Sequence, residues 1–175
     1  MWHHFLDVIL RNSILYACET YYNLNENQIR QLERIEEGYL RKLFQTSAGC
    51  PIAQLYLEAG FIPARFAIKK ARLLFLKSIL EEKQDSMIHR FITLQLEQPT
   101  RGDWVSSCKQ DLKDLNINLS FKEISTISKY QFKKQIKESI SKEALKYVIG
   151  KQGKKGQEIK QAGAELCQAQ LNFAS

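Results

Sequence analysis

From Asn25 to Thr46, apolar side chains return every three or four residues, at Ile29, Leu32, Ile35, Tyr39, Leu40, Leu43 and Phe44. That period belongs to one face of an α-helix and to no strand. Glu33, Arg34, Glu36, Glu37, Arg41 and Lys42 mostly fall on the other side. The segment therefore reads as an amphipathic helix with its charges turned to solvent. Asn25 stands at the N-cap position with Gln28 at the capping-box position, and Leu24 and Ile29 are spaced as a hydrophobic staple. Gly49-Cys50-Pro51 ends the run.

A helix with one oily face must be covered by others, and the rest of the chain offers them. Pro51 suits the start of a short helix through Leu55, Tyr56 and Leu57, which Gly60 closes. Pro63 starts another, from Ala64 to Glu82, with Phe66, Leu73, Leu76, Ile79 and Leu80 as its core face; Ile68, Leu74 and Phe75 widen that face. Ser86 to Glu97 is a further helix with Ile88, Phe91, Ile92 and Leu94 as candidate core residues. Gln98-Pro99-Thr100-Arg101-Gly102 breaks the pattern, and Asp103 caps a short helix through Val105, Leu112 and Leu115. Asn116 to Ser120 is a turn, and helical pattern resumes at Phe121. The expectation is a mainly α fold, an irregular bundle of roughly six to eight helices. It divides into a helical region over 1–100, a helical linker region over 101–149, and a tail over 150–175 that is basic and then Ala/Gln-rich. The tail is expected to be mobile.

The formal net charge is +7. A basic balance of this size favours a polyanionic partner, nucleic acid or an acidic membrane surface. From Lys129 to Ser175 there are ten lysines against four glutamates, so nearly all the excess sits in the last quarter. Cys18, Cys50, Cys108 and Cys167 are too far apart for a zinc knuckle or a compact disulfide scaffold, and read as thiols of a reducing compartment. Asp7, Arg11 and Asn12 interrupt the apolar N-terminus, which reads as a buried helix and not as a signal or membrane anchor. An intracellular location, nucleus or cytoplasm, is expected, without secretion or membrane association.

Constellations for catalysis are poor. His3 and His4 stand at the chain end, and His89 lies between Ile88 and Arg90, four residues after Asp85, which suits a helix-face pair better than a ligand. Glu36-Glu37 and Glu81-Glu82 are adjacent and diverge on a helix. Asp111 and Asp114 alone among the aspartates can share a face, and solvation is the simpler expectation for both. No catalytic residue, metal ligand or cofactor is assigned. Val148-Ile149-Gly150-Lys151-Gln152-Gly153 resembles the GxxG loop of KH domains, which lets a nucleic-acid strand approach the backbone. Gly156 stands where that motif wants isoleucine, and a basic linker is the preferred reading.

Arg65, Lys69 and Arg72 fall at i, i+4 and i+7 and so align in one stripe, with Lys70 and Lys77 offset beside it. Such a stripe can straddle phosphates, each contact releasing counterions. Lys133, Lys134 and Lys137 repeat the pattern later, with Phe132, Ile136 and Ile140 opposite, and Lys151, Lys154 and Lys155 follow. These nine cations are the candidate nucleic-acid-binding set. Trp2, Trp104, Tyr21 and Tyr22 could stack on bases, but aromatics at helical spacing are more often core.

Three stretches taken together carry a family resemblance. Ile14-Leu15-Tyr16-Ala17-Cys18-Glu19-Thr20-Tyr21, then Leu32 to Leu43, then Cys50-Pro51-Ile52 with Leu55 to Gly60 and Ile62 to Arg65, resemble in order and spacing the segment after the catalytic palm of non-LTR retrotransposon reverse transcriptases. Gln95 to Trp104 resembles the linker of elements that bear a restriction-like endonuclease. The resemblance implies a thumb and post-thumb linker that grips a template–primer duplex, DNA or RNA–DNA hybrid, without sequence specificity. It also implies a palm outside this chain, separate or missing, and hence no polymerase activity in the chain alone. A thumb without its palm would expose apolar surface, so self-association, as a structural or protein-interaction remnant, is the competing expectation.

Overall fold

The computed structural model describes residues 13, 15–82, 86–98, 100 and 102–150. Among them are seven α-helices and no strand: α1 (Glu26–Leu43), α2 (Ile52–Ala59), α3 (Ala64–Glu81), α4 (Met87–Glu97), α5 (Trp104–Asp114), α6 (Phe121–Thr126) and α7 (Lys129–Gly150), preceded by a 3-10 turn at Cys18–Thr20. The mainly α expectation is met. The N-terminal segment, the expected mobile tail and Lys151, Lys154 and Lys155 lie outside the described residues.

Local signals explain most of the boundaries. Pro51 caps α2, and Gly60 closes it in the left-handed region at φ 62°. There the Gly60 N–H reaches Leu57 O at 3.1 Å, and the Phe61 N–H reaches Tyr56 O at 3.0 Å. Only glycine adopts that conformation without strain. Ser86, Asp103 and Ser120 cap α4, α5 and α6 by accepting the N–H of His89, Ser106 and Glu123. Ser120 and Glu123 complete a capping box, with the Ser120 N–H donating to Glu123 Oε2 at 2.7 Å. Burial works against the Asp103 carboxylate, but hydrogen bonds from Ser106 and Thr100 outweigh it and hold its pKa below the ordinary value.

The described residues group into two compact units. The first comprises 13, 27–66 and 141–150, the second 15–26 and 67–140, so the break at 98–102 lies inside the second. In the first unit Leu40, Ala53, Leu55, Tyr56, Ala59 and Val148 form the core, flanked by Phe44, Phe61 and Tyr147. Here α1 is rolled from its expected orientation. Glu33 and Glu36, expected at the surface, are buried, and Ile35, expected in the core, is 54% exposed. The charges go inside because partners wait for them. Glu33 meets Arg65 and Tyr147, while Glu36 Oε2 accepts the Ala64 N–H at 2.8 Å and the Tyr56 hydroxyl at 3.3 Å. A buried, satisfied carboxylate is tolerated where an unsatisfied one is not.

The second unit closes over Leu73, Leu76, Ile79, Ile92, Val105, Cys108, Leu112, Leu115, Ile124, Phe132, Ile136 and Ile140, all buried. Trp104 belongs to this core, as its spacing suggests: its indole N–H donates to Glu19 O at 2.8 Å and its ring meets Phe75 edge-on at 5.9 Å. Gly102 turns the chain into α5 at φ 81°, where a Cβ would lie 3.1 Å from the Asn23 side chain. The expectation for α4 needs correction. Ile92 is buried, but Ile88, Phe91 and Leu94 are exposed, together with Met87. Its buried side is thus narrower than its apolar pattern.

Candidate nucleic-acid interface

The three cations of the α3 stripe do share one helix, but each meets a carboxylate. In the first unit, Arg65 Nε donates to Glu33 Oε1 at 2.6 Å and Nη2 to Oε2 at 3.2 Å. Its guanidinium lies over the Tyr147 ring, 4.1 Å from the centroid, and the Tyr147 hydroxyl donates to the same carboxylate at 2.7 Å. In the second unit, Lys69 pairs with Asp114, and Arg72 Nη1 donates to Asp111 Oδ2 at 2.9 Å. Arg72 and Asp111 are both buried, which corrects the solvated expectation for Asp111. Lys77 is buried too, bonded to Ser125 O at 3.2 Å and paired with Glu81 at 3.1 Å. A phosphate at this stripe would have to displace built-in anions from half-buried or buried sites, at a cost of several kcal/mol for a buried pair, on the order of 3–5. That cost exceeds the return from one phosphate contact.

Lys133 and Lys134 of α7 stand differently. Phe132, Ile136 and Ile140 are fully buried, which fixes the roll of the helix. Lys133 and Lys134 consequently face solvent, and neither has a carboxylate partner among the described residues. Lys137, half-buried, continues their row. Tyr130, 76% exposed, joins it from the first turn. Tyr130, Lys133, Lys134 and Lys137 occupy i, i+3, i+4 and i+7, one continuous face. An aromatic ring among outward ammonium groups is the composition of a surface that holds a nucleic-acid strand. In the sequence Tyr130 is marked only by this spacing to the lysines, which by itself does not tell an exposed ring from a core one.

Features of other chemistries are weak in the described residues. No group of three or more His, Cys, Asp and Glu could hold a metal ion. His89 is half-buried, its Nδ1 3.5 Å from Ile79 O; Asp85, its expected partner, lies outside the described residues. Cys18 and Cys108 are buried free thiols, and burial pushes both pKa values up, away from reactivity. An open cavity of about 530 Å³ in the second unit is walled by Phe75, Phe91, Ile92 and Trp104, with Gln95 and Asp103 at its polar edge. It contains no nucleophile–base pair. No helix among the described residues is long and apolar enough to cross a membrane. No family model, curated protein or solved structure matches this chain.

Proposed function

We propose that this chain is a helical module that holds nucleic-acid backbone, duplex or RNA–DNA hybrid, without reading sequence. One observation carries the proposal: buried Phe132, Ile136 and Ile140 hold Lys133, Lys134 and Tyr130 outward on one face of α7. Lysines present point charges and reach phosphates, whereas base reading calls for bidentate groups such as Arg, Asn or Gln aimed into a groove. The phosphate-binding role expected of Arg65, Lys69 and Arg72 passes in this reading to α7, since their charges are balanced internally. Descent from the thumb region of a retrotransposon reverse transcriptase, its chemistry left to a palm elsewhere, is part of the proposal and rests on the residue resemblance.

The test is titration of labelled duplex and hybrid across salt. The two lysine–phosphate contacts of Lys133 and Lys134 contribute about −1.8 to the slope of log K against log salt, about 12-fold in affinity between 50 and 200 mM. The K133A/K134A variant should lose that share of the slope while keeping its helicity. Undetectable binding at about 50 mM salt, or an unchanged slope in the variant, overturns the reading. A second reading, a protein-interaction module, is favoured by the exposed apolar residues of α4.

A further inference from the structure

An open groove of about 580 Å³ in the second unit runs beside the C-terminal half of α5, along the 116–120 turn and onto the start of α6. Its volume falls in the range of ligand sites, roughly 300–1,000 Å³. Buried Leu112 and Ile117 and half-buried Phe121 supply an apolar lining. Lys109 and Lys113, both exposed, line it from i and i+4 of α5 and so stand side by side. The carboxylates of their own helix are engaged elsewhere. Asp111 is buried against Arg72, and Asp114 takes Lys69 on one oxygen and the Gln110 amide on the other at 2.6 Å. No carboxylate is among the described residues that line the groove.

The chemistry of the lining selects an occupant. The Lys109 ammonium lies over the Phe121 ring, 5.9 Å from its centroid, close to the outer limit of a cation–π contact at about 6 Å. Such a contact at an open site is weaker than a base stacked on an aromatic ring. A planar base can therefore take the ring face while the ammonium, on its flexible stem, turns to a phosphate. Two cations beside one ring call for anions and flat apolar faces repeated at short intervals. That is the make-up of an unpaired strand. A duplex keeps its base faces inside the stack, and an acidic peptide carries the charge without a planar face at every unit.

We infer that this groove is a subsite for unpaired, single-stranded nucleic acid, with a base stacked on Phe121 and flanking phosphates on Lys109 and Lys113. The inference rests on the nucleic-acid reading for its class of ligand and adds a second surface, which a duplex does not use. Fluorescence anisotropy of the full chain tests it with a labelled strand of about 12 thymidines, an equally long strand without bases, and a blunt duplex. The thymidine strand should bind at least about fivefold tighter than the abasic one. Phe121→Leu keeps apolar bulk and removes the π-face. It should cost about fivefold on the thymidine strand, with far-UV circular dichroism unchanged and the abasic strand and duplex within about twofold. K109A/K113A alters only exposed side chains and so tests the groove without touching its packing. It should lower the single-strand slope of log K against log salt by about 1.4, at about 0.7 per contact. Equal affinity for the two strands overturns the inference, as does a thymidine affinity indifferent to either variant. Polyglutamate that displaces the labelled strand as well as unlabelled thymidine strand does would make the groove a peptide site, and overturns it too. Single-strand binding that depends on Phe121, without any duplex binding, refutes the α7 reading alone. Duplex binding that falls in K133A/K134A, beside a thymidine strand insensitive to Phe121→Leu, refutes the groove alone.

Discussion

Arg65 decides whether the α3 stripe is a ligand surface or an internal strut. Glu33 is 1% exposed, and Arg65 covers it with two hydrogen bonds while stacking on Tyr147. Arg65→Ala removes the guanidinium and leaves a buried carboxylate whose Tyr147 hydrogen bond supplies no positive charge. Removing one partner of a buried pair costs about 3–5 kcal/mol, because the remaining charge is stranded away from water. Arg65 itself is partly open, side chain 16% exposed, which moves the expectation to the lower end, about 3 kcal/mol. With a urea m-value of about 2 kcal/mol/M, the unfolding midpoint should fall by about 1.5 M. Arg65→Lys should recover part of this, since it restores charge but not the two-pronged geometry. The E33L/R65M/Y147F variant should regain much of the stability, because the ion pair and the hydroxyl bonded to it are removed together. Nucleic-acid affinity of folded R65A should stay within a factor of two of the parent. The reasoning is refuted if R65A unfolds at the parent's urea concentration yet binds duplex tenfold more weakly, for then Arg65 is a phosphate contact.

Burial drives the Asp111 carboxyl up to about 6, against the opposing pull of Arg72 and Lys69. Between an unfolded value near 3.8 and this folded value the native state holds the extra proton, so the stabilising contribution is full below about 3.8 and is lost as pH rises through about 6. Urea unfolding at pH 4.5 and 7 should show that decline, and Asp111→Asn should flatten it. Gly102→Ala forces a side chain into φ 81° against Asn23 and should cost about 1–2 kcal/mol, measured by denaturation; Asn23→Gly in the same chain should return only the crowding part. Ser120→Ala removes the α6 capping box and should cost about 1 kcal/mol, with faster amide exchange confined to the first turn of α6.

The helices were legible because their signals are local. Pro51, Gly60, Pro63, Ser86 and Asp103 mark ends by their own backbone and side-chain chemistry, and the apolar period marks what lies between. The faces were less so. Periodicity assigns Glu33, Glu36 and Asp111 to solvent because their partners, Arg65, Ala64 and Arg72, lie 28 to 39 residues away, where no window detects them. The same blindness made Arg65, Lys69 and Arg72 look like an outward stripe. Phe91 and Leu94 were misassigned for the opposite reason: their spacing is that of a core face, and only packing reveals which face the bundle uses. On α7 the two levels agree. Its lysines and its buried Phe132 and Ile136 sit on the sides that spacing assigns them.

The Glu36 carboxylate, which accepts the first N–H of α3, has a consequence for synthesis of the chain. That N–H is one of the orphan donors every helix start leaves open, and here its acceptor was made 28 residues earlier. When the first turn of α3 leaves the ribosome, Glu36 is already outside it, with the turn of α1 that carries it complete. The loops that join α1 to α2 and α2 to α3 can vary in length at small entropic cost, since loop closure grows only logarithmically. The direction of the chain cannot: in a rearranged chain that makes Ala64 before Glu36, α3 would have to begin uncapped and wait.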